Sequence, residues 1–384
     1  MGAMSPHFTV GIEEELQLVD CLTGQLVSKI HPIVEKGQAV FGEQLKPEML
    51  QSTAELITGV CPDIRTARAE LLKLRRQLAR LAGQEGVALV SAGTHPSSLW
   101  MHQLRSESPR YEELEEEFQD VGRSILIFGL HVHIGVEDRE LSVSLLNQIR
   151  TWLPHLLALS SNSPFWLARY TGLRSYRAIV WKRFLRSGVP DPLLSWGDFE
   201  HYVETLVKAG CIDNGKKVWW DIRPHAFYST IEFRICDMPA TFEDTIALSA
   251  LCQALVARLA WLHRHGLMTP VLPRRLIEEN KWRAARYGLD AEVIDFVRQR
   301  RLSMRESIHE LLDFVDEVVD ELGTRREMNH LRSLLSDPRG TGADRQIAVY
   351  KETGSLPAVA HFLIRQTREG VEDNSASQHI ASPE

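Results

Sequence analysis

The stretch FTVGIEEELQLVD, residues 8–20, decides how the chain folds. Successive side chains of a strand point to opposite sides of a sheet, so every second residue shares a face. Read this way, Phe8, Val10, Ile12, Leu16 and Leu18 form an apolar face broken only by Glu14. Thr9, Gly11, Glu13, Glu15 and Gln17 form the other. The pattern returns twice. In 125–136, Leu126, Phe128, Leu130, Val132, Ile134 and Val136 oppose Gly129, His131, His133 and Gly135. In 230–237, Ile231, Phe233 and Ile235 oppose Thr230, Glu232 and Arg234. Each strand can bury one face under helices and present acids, imidazoles or a guanidinium on the other. Solvated strand faces are usually Thr, Lys, Gln and Ser, and Glu-x-Glu, His-x-His and Glu-x-Arg depart from that. The neighbouring glycines leave room for a ligand to approach the backbone.

Outward from these strands, Val87–Gly93 and Trp219–Arg223 also read as strands. Ile64–Ala82 carries apolar residues at helical spacing after Pro62, with Lys and Arg between them. Tyr111–Ser124 and Leu141–Leu159 are predicted helices, and Phe242–Arg368 is predicted nearly all helical, with breaks at Met268–Pro273 and Asp337–Asp344. The mixture predicts an α+β fold: an antiparallel or mixed sheet forming a concave active-site wall, helices on its other face and filling the C-terminal third. No linker divides the 384 residues, so we expect one catalytic domain over 1–384, sheet-rich over 8–240, helical over 241–368 and frayed over 369–384.

Composition narrows the function. Hydrophobic residues are 44% and charged residues 25%, as in a globular protein, and Lys+Arg 44 against Asp+Glu 51 gives −7. No basic excess argues for nucleic acid or an anionic membrane surface. The apolar stretch Thr245–Leu262 is interrupted by Gln253 and Arg258 and reads as a buried helix instead of a membrane span. Five cysteines without a C-x-x-C pair point to a reducing, cytoplasmic setting.

If the three polar faces meet, carboxylates converge. Two like charges about 4 Å apart repel by about 4 kcal/mol at an effective dielectric of 20. Cations would neutralise such a cluster, and carboxylate oxygens with one or two imidazoles suit Mg²⁺ or Mn²⁺ better than zinc. Mg²⁺ held this way commonly completes its shell with substrate phosphates. No glycine-rich phosphate loop is present, so metals and arginines would have to hold a nucleotide.

GIEEE (11–15), EMLQSTAELITGVC (48–61), AGTHP (92–96), GLHVHIG (129–135), WDIRP (220–224) and IEFR (231–234) together resemble the bacterial carboxylate–amine ligases related to glutamate–cysteine ligase. RQIAVYKETGSLPAVAHFL (345–363) is similar to that family's C-terminal helical segment, so the likeness runs from about 8 to 368. The wider glutamine-synthetase-like group lines its active site with an antiparallel sheet.

By this resemblance, two or three Mg²⁺ or Mn²⁺ ions are bound by Glu13, Glu15, Glu48, Glu55, His131 and Glu232. His133 faces nucleotide phosphate or substrate. Arg234 neutralises the transferring phosphoryl group, a structural salt bridge to a neighbouring acid being its other reading. Arg177 and Arg223 look like substrate-carboxylate anchors, where a planar bidentate donor fits, although Arg169 and Arg174 could serve instead. The implied substrates are ATP, L-glutamate and an amine such as L-cysteine, joined through an acyl phosphate, with a homodimer as a further expectation. A metal-dependent phosphohydrolase and a non-catalytic nucleotide- or metal-binding relative are the alternatives. Three points stay open in the sequence. Glu48 and Glu55, seven apart, share a helical face but need a bulge or turn to share a strand face. His95 can structure a turn or serve the site. Glu14 needs either a buried partner or an edge position.

Overall fold

A computed structural model describes residues 8–371. One antiparallel sheet of seven strands organises them: β1 (Val10–Asp20), β2 (Leu45–Pro47), β3 (Thr53–Ile57), β4 (Val87–Val90), β5 (Leu130–Gly135), β6 (Ile222–Pro224) and β7 (Thr230–Phe233). The order is β6-β7-β5-β1-β3-β2, and β4 pairs with the C-terminal part of β1. The helices that matter to the site are α1 (Ile64–Gln84), α2 (Pro109–Phe118), α3 (Arg177–Trp181), α4 (Phe242–Arg264) and α5 (Gly342–Thr353).

The apolar faces predicted for β1, β5 and β7 are the buried ones, and Val10, Ile12, Leu16, Val132, Ile134 and Phe233 lose all contact with solvent. Helices α1 and α4 pack on them. Asp63 caps α1 by accepting from Thr66 N at 2.7 Å, and Ile64, Ala67, Leu71, Leu74, Leu78 and Ala82 turn one stripe to the sheet. Among the described residues, α4 alone is long and apolar enough to cross a membrane, and it is buried within the protein.

Glu14 has a buried partner. Arg75 of α1 donates from Nε and Nη2 to its two oxygens, both at 2.6 Å, and neither side chain reaches solvent to more than 1%. The guanidinium also lies over the Phe242 ring of α4, 5.6 Å from its centroid. The pair therefore joins β1, α1 and α4 at one point.

Several predicted boundaries differ. The sheet strand in 125–136 begins only at Leu130; ahead of it, Ile127 and Gly129 make single bridges to Thr94 and Asp237. The helix expected over Tyr111–Ser124 breaks at Gln119, whose φ is 48°. Leu141–Leu159 divides at a 3₁₀ turn, Arg150–Trp152, just before Pro154. Trp219–Arg223 is two strands, because Trp219–Trp220 pairs in parallel with Ser187–Gly188 while β6 joins the main sheet. Within the region read as helical, Glu292–Asp295 and Arg300–Ser303 form a hairpin, and Asp295 turns its loop by accepting from Val297 N and Arg298 N. Part of the expected frayed end is packed: Val371 is buried and its carbonyl accepts from Arg76 at 2.7 Å. Residues 372–384 lie outside the described residues.

Two polar nodes finish the frame. His95 structures a turn: its Nε2 donates to Gly24 O at 2.8 Å, while Nδ1 accepts from Ser97 N and Ser98 N. Deeper in, Asp237 accepts from Asn162 N, Ser163 Oγ and Ser175 Oγ. The Asn162 amide donates to Ser91 O and Met238 O and accepts from Gln346 of α5 at 2.7 Å.

Glu14→Gln or Arg75→Met alone should cost about 3–5 kcal/mol, because each strands one buried charge, whereas Glu14→Leu with Arg75→Met should recover most of it; urea midpoints of the three variants test this. His95 supplies a pH test. Burial pulls its imidazole to about 4 against the hydrogen bond to Gly24, so its contribution is complete above the unfolded value near 6.5 and is lost as pH falls towards 4. The loss should reach about 3 kcal/mol, and His95→Gln should flatten denaturation midpoints between pH 7 and 4.

Candidate active site

Strand register sets the polar side chains in rows on the uncovered face. Arg223, Glu232, His133 and Gly11 follow one another across β6, β7, β5 and β1. His131, Glu13 and Ile57 make the next row across β5, β1 and β3. Glu15, Glu55 and Lys46 make the third, across β1, β3 and β2. Glu48 joins them through a turn, one of the two devices its spacing required: β2 ends at Pro47, the chain reverses, and β3 begins at Thr53. Lys46 opposes Glu55, so Glu48, two residues beyond Lys46, returns to the face that Glu55 shares. Every residue expected at the site (Glu13, Glu15, Glu48, Glu55, His131, His133, Arg177, Arg223, Glu232, Arg234) lines one cavity of about 310 Å³ against this face.

The acids fall into two groups. Glu13 lies 3.1 Å from His131 Nδ1 and 3.3 Å from His133 Nε2. Burial would raise its carboxyl, but the hydrogen bonds and charge of the two imidazoles hold it well below the usual range. Glu232 is fully buried, yet the charges of Arg223, Arg234 and then His133 keep it far below the usual range as well. Glu15 and Glu55 behave oppositely. Burial and then the Glu48 charge push Glu15 up to about 7, against Arg177 and the Gly129 N–H. Burial, with Glu48, Glu13 and Glu15 around it, pushes Glu55 well above the usual range. His131 is pulled down to about 4, chiefly by burial and secondly by Arg234. His133 rises, because Glu232 and Glu13 outweigh its burial.

The arginines divide their work. Arg234 makes the salt bridge of its other reading by donating to Glu232 Oε1, and it lines the cavity over the Trp181 ring, 5.7 Å from its centroid. Arg223, expected to anchor a substrate carboxylate, spends its donors inside the protein. Its Nε and Nη2 reach Glu232 at 2.7 and 3.2 Å, and Nη1 reaches the carbonyls of Lys216 and Val218. Arg177 likewise donates to the carbonyls of Arg234 and Ile235 at 3.1 and 3.2 Å, under Gly129, where a Cβ would lie 2.3 Å from Nη2. Glycine at 129 is therefore required by the arginine beneath it. Arg174 is bound to Asp344 at 2.6 Å and does not line the cavity, nor does Arg169.

A divalent ion would find hard oxygen donors at Glu15, Glu48 and Glu55, whose mutual repulsion is what a cation relieves. As the side chains stand, no group of three or more His, Cys, Asp or Glu among the described residues is arranged to hold a metal. Glu232, expected as a ligand, has its oxygens taken by two arginines.

Sequence reasoning missed several lining residues. Tyr111 of α2 donates its hydroxyl towards Glu48 Oε2 at 3.4 Å. His225 stacks on Tyr228 at 4.5 Å and meets His133 edge-on at 5.6 Å. Asp221, which lies behind the lining, is held by Lys281 Nζ at 2.5 Å and accepts Arg234 N through its carbonyl at 2.8 Å. A signal existed for His225 and Asp221, since they flank Arg223 in the tryptophan-led motif. None existed for Tyr111, which lies in an acidic helix that reads as a solvated face.

Because Glu55 faces Glu15 across a strand pair, Glu55→Gln should stabilise the metal-free protein by about 0.5–2 kcal/mol, the usual gain from relieving site repulsion. Calorimetric melting in a chelator checks it, and an unchanged or lower melting temperature would count against the repulsion.

The model of glutamate-cysteine ligase family 2 (GCS2) matches residues 9–369. A relative from Solibacter usitatus (strain Ellin6076) named "Putative glutamate--cysteine ligase 2" is 50% identical over 372 residues, 97% of this chain and 96% of its own. One of the same name from Sorangium cellulosum (strain So ce56) is 49% identical, covering 96% and 99%. Among solved structures, glutamate–cysteine ligase from Francisella tularensis in complex with AMP superposes with a TM-score of 0.73 at 13% identity, over 96% of this chain and 89% of that one. A bifunctional glutathione synthetase from Pasteurella multocida gives 0.67 at 16% identity, over 96% and 53%. At such identities these two likenesses speak for the fold.

Proposed function

The chain belongs to glutamate-cysteine ligase family 2, and from that premise we propose that it is an ATP-dependent carboxylate–amine ligase. The donor is the γ-carboxylate of L-glutamate, the acceptor is an amine, and residues 8–371 act as one catalytic unit, in the cytoplasm. The observation that carries this reading is the strand register, which brings Glu13, Glu15, His131, His133 and Glu232 to one wall, with the Arg234 guanidinium salt-bridged to Glu232 on the same cavity.

Glu13, Glu15, Glu48, Glu55 and His131 would hold Mg²⁺ or Mn²⁺, which when bound neutralises the ATP phosphates. Glu232 would join them only by releasing an arginine, and its present place is to orient Arg234. The glutamate carboxylate attacks the γ-phosphorus, the bond to the bridging oxygen breaks, and ADP leaves. Negative charge spreads over the phosphoryl oxygens as this happens, and Arg234, already held by Glu232, meets it without reorganising. The amine then attacks the acyl carbon, phosphate leaves and a proton is lost from nitrogen. No side chain need form a covalent intermediate. His133, held at Nδ1 by Thr230 Oγ1 at 3.1 Å, keeps Nε2 towards Glu13 on the side where phosphate or substrate would lie.

The test is incubation of the protein with ATP, Mg²⁺, glutamate and a panel of amines, with products identified by mass. An amide and ADP formed only when both glutamate and an amine are present supports the ligase, and phosphate released with neither favours hydrolysis. Arg234→Ala should lower kcat by about 10²–10³, the scale for one preorganised charge-stabilising donor, without loss of fold; an unaltered kcat would remove Arg234 from the chemistry.

A further inference from the structure

The polar face of the strand through 125–136 does not stay polar. Ile125 and Ile127 have the same parity as Gly129, His131 and His133, and both line the cavity half-buried while Leu126 and Phe128 turn into the core. Tyr111 and Leu114, three residues apart on α2, stand over them. Trp181 of α3 closes the side, also half-buried, with Arg234 on its ring. These five apolar side chains give the cavity an apolar lobe, and the guanidinium proposed to face the transferring phosphoryl group lines the same cavity over Trp181.

We infer that this lobe receives the side chain of the acceptor amine, and that the acceptor is an amino acid with an aromatic or large apolar side chain instead of cysteine. The inference rests on the ligase reading and names the substrate class of that same site. Two arguments select the class. The first is size: one methylene and a thiol cannot cover five apolar walls, whereas a ring buries about 150–250 Å². The second is chemical. An unfilled recess beside an acyl phosphate holds water, which competes with the amine for the acyl carbon, and a ring in the lobe expels it.

A nucleobase is the rival occupant, and the cavity wall argues against it. A second lobe of about 1130 Å³ shares Glu13, Lys46 and His133 with the first and offers a base the apolar walls of Phe8, Val60, Leu141 and Phe227. Lys46 is its only lysine or arginine among the described residues. A nucleoside needs no cation, whereas amino-acid substrates bring carboxylates, and Arg110 and Lys216 line the first lobe's cavity.

The experiment is competition between L-phenylalanine and L-cysteine for amide formation with glutamate, ATP and Mg²⁺, in the wild type and in Leu114→Ala and Leu114→Trp. Phenylalanine should exceed cysteine in kcat/KM by about tenfold or more, the range over which hydrophobic pockets discriminate. Leu114→Trp, which fills the lobe, should lower the value for phenylalanine at least tenfold more than that for cysteine, and Leu114→Ala should lower it less. Cysteine preferred by the wild type overturns the inference, as does a Leu114→Trp effect confined to KM for ATP, which would give the lobe to the nucleobase. No ATP-dependent amide from any amine overturns the ligase reading and this assignment together.

Discussion

The register of β1 is the constraint on which the site depends. A slip of one residue would exchange the two faces of the strand and carry Glu13 and Glu15 into the core. Hydrophobicity alone resists that slip, and Glu14 adds to the resistance. It lies among buried aliphatic residues, where an unpaired carboxylate would be costly, and Arg75 accepts it only in the observed register. A charge on the wrong face of an amphipathic strand therefore locks the two neighbouring charges onto the right one.

On the open side, the sheet holds a tension between acids and cations that its own residues only half resolve. Glu13 and Glu232 are matched by imidazoles and guanidinium groups, whereas Glu15, Glu48 and Glu55 crowd one another with Lys46 as the opposed cation. Sites arranged in this way commonly trade stability for function. The arginines show a parallel economy: Arg177 and Arg223 fix the backbone and the carboxylate around Arg234, whose own guanidinium lines the cavity beside Trp181.

Much of this was legible because strand alternation has a period of two and survives any uncertainty about ends. The faces of β1, β5 and β7 follow from it directly, and so does the assembly of Glu13, Glu15, His131, His133, Glu232 and Arg234 on one wall. What stayed hidden depends on contacts distant in sequence. Arg75 is one basic residue among several on an amphipathic helix, and only the docking of α1 picks it out. The commitments of Arg177 and Arg223 to carbonyls cannot be told from a substrate-anchoring role by residue type. Gln119, with its positive φ, broke a helix that composition favoured, and the 292–303 hairpin is short, charged and flanked by helices, where periodicity gives little to read.

The Asn162 node joins segments made at very different times. Its amide bonds the chain beside β4, the segment just after β7, and Gln346 in α5, which touches no part of the cavity. The strand that carries Glu13 is made well before the glutamine that completes this node. At roughly 5–20 residues per second, β1 can pair with β3, β4 and β5 well before Gln346 is made, and the Asn162 amide waits for it on the order of five to twenty seconds after Met238. The sheet can therefore pair before the node behind it closes, and α5 docks on a wall already formed.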